Sequence, residues 1–281
     1  MAQNALNVYT NLSEETKDKL HDILGGVIEN IQTSAVSELI KNRQGSGDPE
    51  SGSVTYKRFK NATLNDKGTA RTAGAGTPLE DTNVIVNIDT DKEVIEELQK
   101  KDIKLLGIPA LVEKRANNAA KRITAFLDRT FFAVAKSEGN AYAGEATDLK
   151  DILDEMIVTA KETQSDYIDG IDADDLVIVL SGTARKALKN DLDELPNGTD
   201  PKNGLIGMYD NIEVHESNRL PSCTHIFVML KGAVAQPWYN SEYDAEKVPF
   251  DDAIAVELFN YSGCKALNPE AIYYYGVSAS V

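Results

Sequence analysis

Two cysteines, one tryptophan and three histidines are all that the 281 residues offer of the side chains that most often build redox, metal or nucleophilic centres. Cys223 and Cys264 alone cannot supply a disulfide framework or a zinc site, so a reducing compartment is the expected setting. No run approaches about 18 uncharged apolar residues, and no transmembrane helix is expected. The opening MAQNALNVYTNLSEET lacks the basic-then-apolar order of a secretory signal. No Gly-Lys-Ser/Thr phosphate loop occurs. Gly74-Ala75-Gly76 lacks the third glycine of a dinucleotide turn, and Ser181 stands outside a Gly-x-Ser-x-Gly frame.

What is present is an ordinary apolar fraction, 42%, and a lopsided charge: 29 Lys+Arg against 45 Asp+Glu, net −16. At about 100–200 residues per domain, the chain makes one large domain or two modest ones around a real core. The charge is unevenly spread. Gly144–Asn260 holds 24 acidic and 9 basic side chains, nearly the whole surplus. Pro109–Ser137 runs the other way, with Lys114, Arg115, Lys121, Arg122, Arg129 and Lys136 against Glu113 and Asp128. So does Val54–Gly76, with Lys57, Arg58, Lys60, Lys67 and Arg71 against Asp66. The whole chain repels a polyanion, yet two local surfaces need not.

Residues 1–50 read as an arm. Ser13 caps a helix whose first turn holds Glu14 and Glu15, and Leu20, Ile23, Leu24, Val27, Ile28 and Ile31 form its apolar stripe. The Gly/Ser/Asp/Pro-rich stretch Asn42–Ser53 follows, so the stripe must dock on the main body or on another copy. Val54–Phe59 and Asn83–Ile88 form two strands flanking a tip poor in large apolar groups, Asn65–Pro78. Val94, Ile95 and Leu98 predict a helix from Asp89 to about Asp102. From Pro109 to Ser137 runs the longest helix signal, lined by Val112, Ala116, Ala119, Ala120, Ile123, Phe126, Leu127, Thr130, Phe131 and Val134. Beyond Gly144 the chain becomes acidic α/β. It predicts a helix around Leu149–Ala160, a buried strand at Asp175–Leu180, a short helix after Ser181, strands at Ile212–Ser217 and Ile226–Leu230, and two final strands at Ala253–Tyr261 and Ala271–Val277.

This order of arm, long β-hairpin, long helix and α/β region resembles the major capsid proteins of tailed bacteriophages, with their Hong Kong 97-type fold. The most specific local likeness is Val177–Pro221: a buried strand, a Ser-capped helix, Gly204-Leu205-Ile206-Gly207, then a strand ending in Ser217-Asn218-Arg219-Leu220-Pro221. The resemblance implies an α+β architecture: arm 1–50, extended loop 51–89, peripheral domain 90–142 and 251–281 with the spine helix 109–137, and axial domain 143–250. It also implies a major head protein, not an enzyme, that self-assembles into pentamers and hexamers around double-stranded DNA in the virion. The resemblance further implies assembly in the host bacterial cytoplasm, with portal and scaffolding proteins as partners. No cofactor, metal or membrane is called for. On this reading Lys114, Arg115, Lys121, Arg122 and Arg129 face the DNA from the inner wall, and Lys57, Arg58, Lys60, Lys67 and Arg71 make contacts between subunits. Some members of the family crosslink through a lysine on this loop, but nothing near Lys57, Lys60 or Lys67 identifies an acceptor. An encapsulin shell is the near alternative. An acidic α/β enzyme or binding module forming a small oligomer is the distant one.

Chemical clusters are sparse. His21, His215 and His225 are separated, with Cys223 between the last two, and Cys-x-His spacing alone does not make a metal or nucleophilic site. Asp166, Asp169, Asp172, Asp174 and Asp175 crowd one stretch but miss the glycine and distal glutamate of an EF-hand loop. Trp238, between Pro237 and Tyr239, reads as a core or interface anchor.

Overall fold

The computed structural model describes residues 27–32, 34–64, 66, 79–99, 108–192, 204–240, 244–247 and 253–276. The cap at Ser13 and the stripe up to Leu24 therefore lie outside the described residues, as do Lys67, Arg71 and His21. The elements in chain order begin with α1 (Val36–Ile40), the hairpin β1 (Ser53–Phe59) and β2 (Asp81–Asn87), β3 (Thr90–Gln99) and the long helix α2 (Ile108–Glu138). They continue with β4 (Asn140–Ala141), α3 (Leu149–Lys161), β5 (Leu176–Leu180), α4 (Gly182–Leu188), β6 (Leu205–Tyr209), β7 (Ile212–Glu216) and β8 (Thr224–Leu230). The last are β9 (Val234–Ala235), β10 (Trp238–Asn240), β11 (Asp244–Lys247), β12 (Ala253–Ser262), β13 (Lys265–Ala266) and β14 (Ile272–Gly276).

A six-stranded sheet ordered β4-β14-β8-β5-β7-β6 organises the α/β region. Every residue of its central strand β5 is buried, and the alternation shows why the sequence there is apolar without a break. Leu176, Ile178 and Leu180 face α3 and α4, packing with Ile152, Leu153, Met156 and Leu188. Val177 and Val179 face the end of α2, packing with Phe131, Phe132 and Phe227. Both helices of the first layer are capped as the sequence dictates: Asp148 accepts from the Lys150 N–H at 3.2 Å, and Ser181 from the Ala184 N–H at 3.3 Å.

A second sheet is centred on β12, with β3 along one side and β10 and β11 along the other. This overturns the helix expected over 89–102. β3 pairs antiparallel with β12 through ten rungs, from Thr90↔Ser262 to Gln99↔Ala253. The three apolar residues that carried the helical reading fit either period over so short a window. The sheet separates two of them: Val94 lies opposite the fully buried Leu258, while Ile95 on the other face is half exposed. Gly204-Leu205-Ile206-Gly207, a glycine-containing loop on the family resemblance, instead runs into a strand at Leu205–Tyr209. Asp210 and Asn211, with φ of 50° and 63°, turn it tightly into β7.

The division at 250/251 does not follow the sheets. β10 and β11 belong with β12, whereas β14 sits inside the six-stranded sheet beside β8.

Candidate functional site

The hairpin is built with two unlike faces. Its seven rungs run from Ser53↔Asn87 to Phe59↔Asp81. On the inner face Val54, Tyr56 and Val86 pack on Ala235 and Leu267, a small apolar cluster at the root. On the outer face Phe59 and Ile85 are 52% and 53% exposed, and towards the tip Leu64 and Leu79 reach 96% and 77%. Apolar side chains displayed this way mark a contact surface.

Of the five hairpin cations, Lys57, Arg58 and Lys60 have partners within the chain, and Lys67 and Arg71 lie outside the described residues. Arg58 lies on the inner face, ion-paired with Glu270 and stacked 4.0 Å from the Tyr167 ring centre. Lys57 meets Asp81 at 3.1 Å, and Lys60 meets Glu80 at 2.7 Å. The Asn61 N–H donates to the Asp166 carbonyl at 2.8 Å, tying the hairpin to the loop before β5.

The long helix covers about 46 Å at 1.5 Å per residue. Its buried side is Ala116, Ala119, Ala120, Ile123, Leu127, Phe131 and Ala135. Arg115, Arg122 and Arg129 are exposed at seven-residue intervals, about 10.5 Å apart along one line of the helix. Arg115 forks onto Glu96 of β3. No acid pairs with Arg122 or Arg129 among the described residues. Lys121 is exposed on the flank, and the Lys114 side chain is outside the described residues.

Sequence reasoning missed what Asp128 does. Counted above as one of two acids on a basic helix, it is fully buried, accepting from the Ser37 N–H at 2.9 Å and from Arg219 at 2.6 Å. One carboxylate thus joins the arm, the long helix and the Ser217–Pro221 loop. The signal was there, since residue 128 falls within the buried stripe between Leu127 and Phe131. Nearby, the Gln236 amide donates to the Leu127 carbonyl at 2.8 Å. Trp238 is an anchor of the expected kind, its indole N–H bonded to Glu38, which also holds Lys41 at 2.6 Å. Burial lowers the Lys41 pKa despite that partner.

Reactive groups do not converge. Among the described residues no group of three or more His, Cys, Asp or Glu could hold a metal ion. His215 is buried, and the His225 ring lies 3.3 Å from Ser181 Oγ, which is occupied as a helix cap. Burial, then Glu138, pushes the Cys264 thiol upward, so it stays protonated at neutral pH. The Tyr209 hydroxyl is raised by burial and by its 2.5 Å hydrogen bond to Asp154. Among the described residues no helix is long and apolar enough to cross a membrane.

An arm docked on a long helix, a two-stranded hairpin, a β12-centred sheet and an α/β sheet make up a mixed fold shared with phage capsid structures of the Hong Kong 97 type. Solved structures share it at low identity. A structure of Mycobacterium phage Che8 matches with TM-score 0.62 and 15% identity, over 86% of this chain and 90% of that one. The capsid of Ralstonia phage GP4 matches at 0.58 and 12%, over 86% and 87%. A virus-like particle from Pyrococcus furiosus matches at 0.53 and 9%, over 89% and 96%. No protein-family model and no curated protein matches the sequence.

Proposed function

We propose that this chain is the major head protein of a tailed phage, self-assembling into pentamers and hexamers that close an icosahedral shell around double-stranded DNA. The observation that carries the reading is the capsid fold shared along almost the whole chain with phage capsids. The two-faced hairpin supports it: its inner face is held to its own chain through Val54, Tyr56, Arg58 and Asn61, while Phe59 and Ile85 leave its outer face uncovered. Such a chain works by burial between copies and belongs to the virion, assembled in the bacterial cytoplasm with portal and scaffolding proteins as partners. Its role is structural rather than catalytic.

On this reading the Arg122–Arg129 line of the long helix turns towards packaged DNA. Contacts of that kind are independent of base sequence and weaken with salt. The same line favours a DNA-filled shell over an encapsulin-type one. Negative-stain microscopy of the chain, expressed alone and with a scaffolding protein, tests the proposal. Closed, discrete shells are expected; a homogeneous small oligomer under both conditions would overturn it.

A further inference from the structure

The arm helix and the long helix do not meet flush. Between them lies a cleft of about 290 Å³, lined by Asn30, Ser34, Asn117, Lys121, Thr124 and Arg219. Among the described residues no carboxylate lines it. In a chain of net charge −16, a concave site whose described polar lining is cations, amides and hydroxyls is chemically distinct from its surroundings.

The two cations differ in how they are held. Lys121 is exposed and has no ion-pair partner among the described residues. Arg219 is fixed: one terminal nitrogen donates to the fully buried Asp128 carboxylate at 2.6 Å, which locks the guanidinium at the cleft wall. Asp128 spends its other oxygen on the Ser37 N–H, so it cannot swing into the cleft to neutralise a second cation. Asn30 Nδ2 donates to Asn117 Oδ1 at 3.0 Å, which leaves the Asn117 amide nitrogen as a donor in the cleft lining. A planar fork, a mobile ammonium and an amide around one hollow make a receptor for tetrahedral oxyanions. The larger cavity, about 380 Å³ beside Trp238, lacks this character: Glu38 lines it and holds Lys41 by its carboxylate and Arg43 by its backbone carbonyl.

We propose that the cleft between arm and long helix binds a phosphate group, with Lys121 and Arg219 as its cationic ligands. Its place beside Arg122 on the helix assigned to the inner wall makes a DNA phosphodiester the natural source, and that part rests on the proposed function; the phosphate chemistry does not. Free phosphate is the other source.

The test is calorimetric titration of the purified full chain with inorganic phosphate, alongside fluorescence anisotropy with a short DNA duplex over a range of salt. Lys121→Glu and Lys121→Arg are the main variants, because the side chain is exposed and folding survives the change. Phosphate affinity is expected to fall about tenfold or more in Lys121→Glu, recover in Lys121→Arg, and stay unchanged in Lys186→Ala, an exposed cation of α4 outside the cleft lining. The DNA salt slope is expected to drop by about one in Lys121→Glu. Displacement of phosphate by DNA assigns the phosphodiester as source; phosphate binding that DNA leaves untouched assigns the free ion, and the cleft stands in both cases. No phosphate binding by the wild-type chain, or equal binding by Lys121→Glu, overturns the proposal, whether or not shells are seen in the microscope.

Discussion

The six-stranded sheet and the β1–β2 hairpin are made by opposite strategies. In the sheet, β5 gives every side chain to one of two apolar layers, and helices close both faces. In the hairpin, alternation gives half the side chains to a small root cluster and leaves the other half uncovered. A two-stranded ribbon of this kind is marginal on its own. The first region is complete within one chain, and on the proposed function the second is completed by neighbouring copies.

The largest effect that could break this contrast lies in the sheet. Phe227→Ala removes a fully buried ring shared with Phe132 and Tyr274, and should cost about 3–5 kcal/mol, seen as loss of soluble protein or a collapsed denaturation midpoint. Next comes Arg219→Ala, which strands the Asp128 charge in the interior. Because Arg219 keeps some solvent contact, about 2–3 kcal/mol is expected by urea denaturation, with faster proteolysis of the arm as its signature. Gly263→Ala acts on the hairpin root alone: a Cβ there would stand 2.0 Å from the Asn87 carbonyl, so the backbone must shift, at about 1–2 kcal/mol. Limited proteolysis should show the hairpin released before the sheet.

Alkaline pH gives a smaller, graded effect. The folded state holds the Cys264 proton more tightly than the unfolded chain does, so its contribution is complete below about pH 9 and declines as pH rises further. Wild-type stability should therefore fall faster above pH 9 than that of Cys264→Ala, by at most about 1.4 kcal/mol per pH unit. The smallest change in stability belongs to the double variant Phe59→Glu with Ile85→Glu, within about 0.5 kcal/mol for exposed sites. That same variant should lose assembly altogether, measured as particle yield by sedimentation, and so separates the two regions most sharply.

Sequence alone made the core legible wherever period and length agreed. β5 announced itself by five apolar residues in a row, and α2 by a stripe sustained over eight turns. It failed where an element takes its identity from a distant partner. β3 became a strand because β12, more than 150 residues away, offers it ten rungs. The site was legible as a charge pattern but not as geometry. Arg58 counted as a free cation until Glu270 and Tyr167 were seen beside it, and Asp128 counted as surface charge until Ser37 and Arg219 converged on it. Pairings across 90 to 210 residues leave no local trace.

Hydrogen exchange of the unassembled subunit and of closed particles tests the central claim most directly. Amides of β5 should be slow in both states. Those of Ser53–Phe59 and Asp81–Asn87 should exchange readily in the free subunit and slow by about a hundredfold or more in the particle. Hairpin amides equally protected in both states would contradict the claim that neighbouring copies complete this part of the fold.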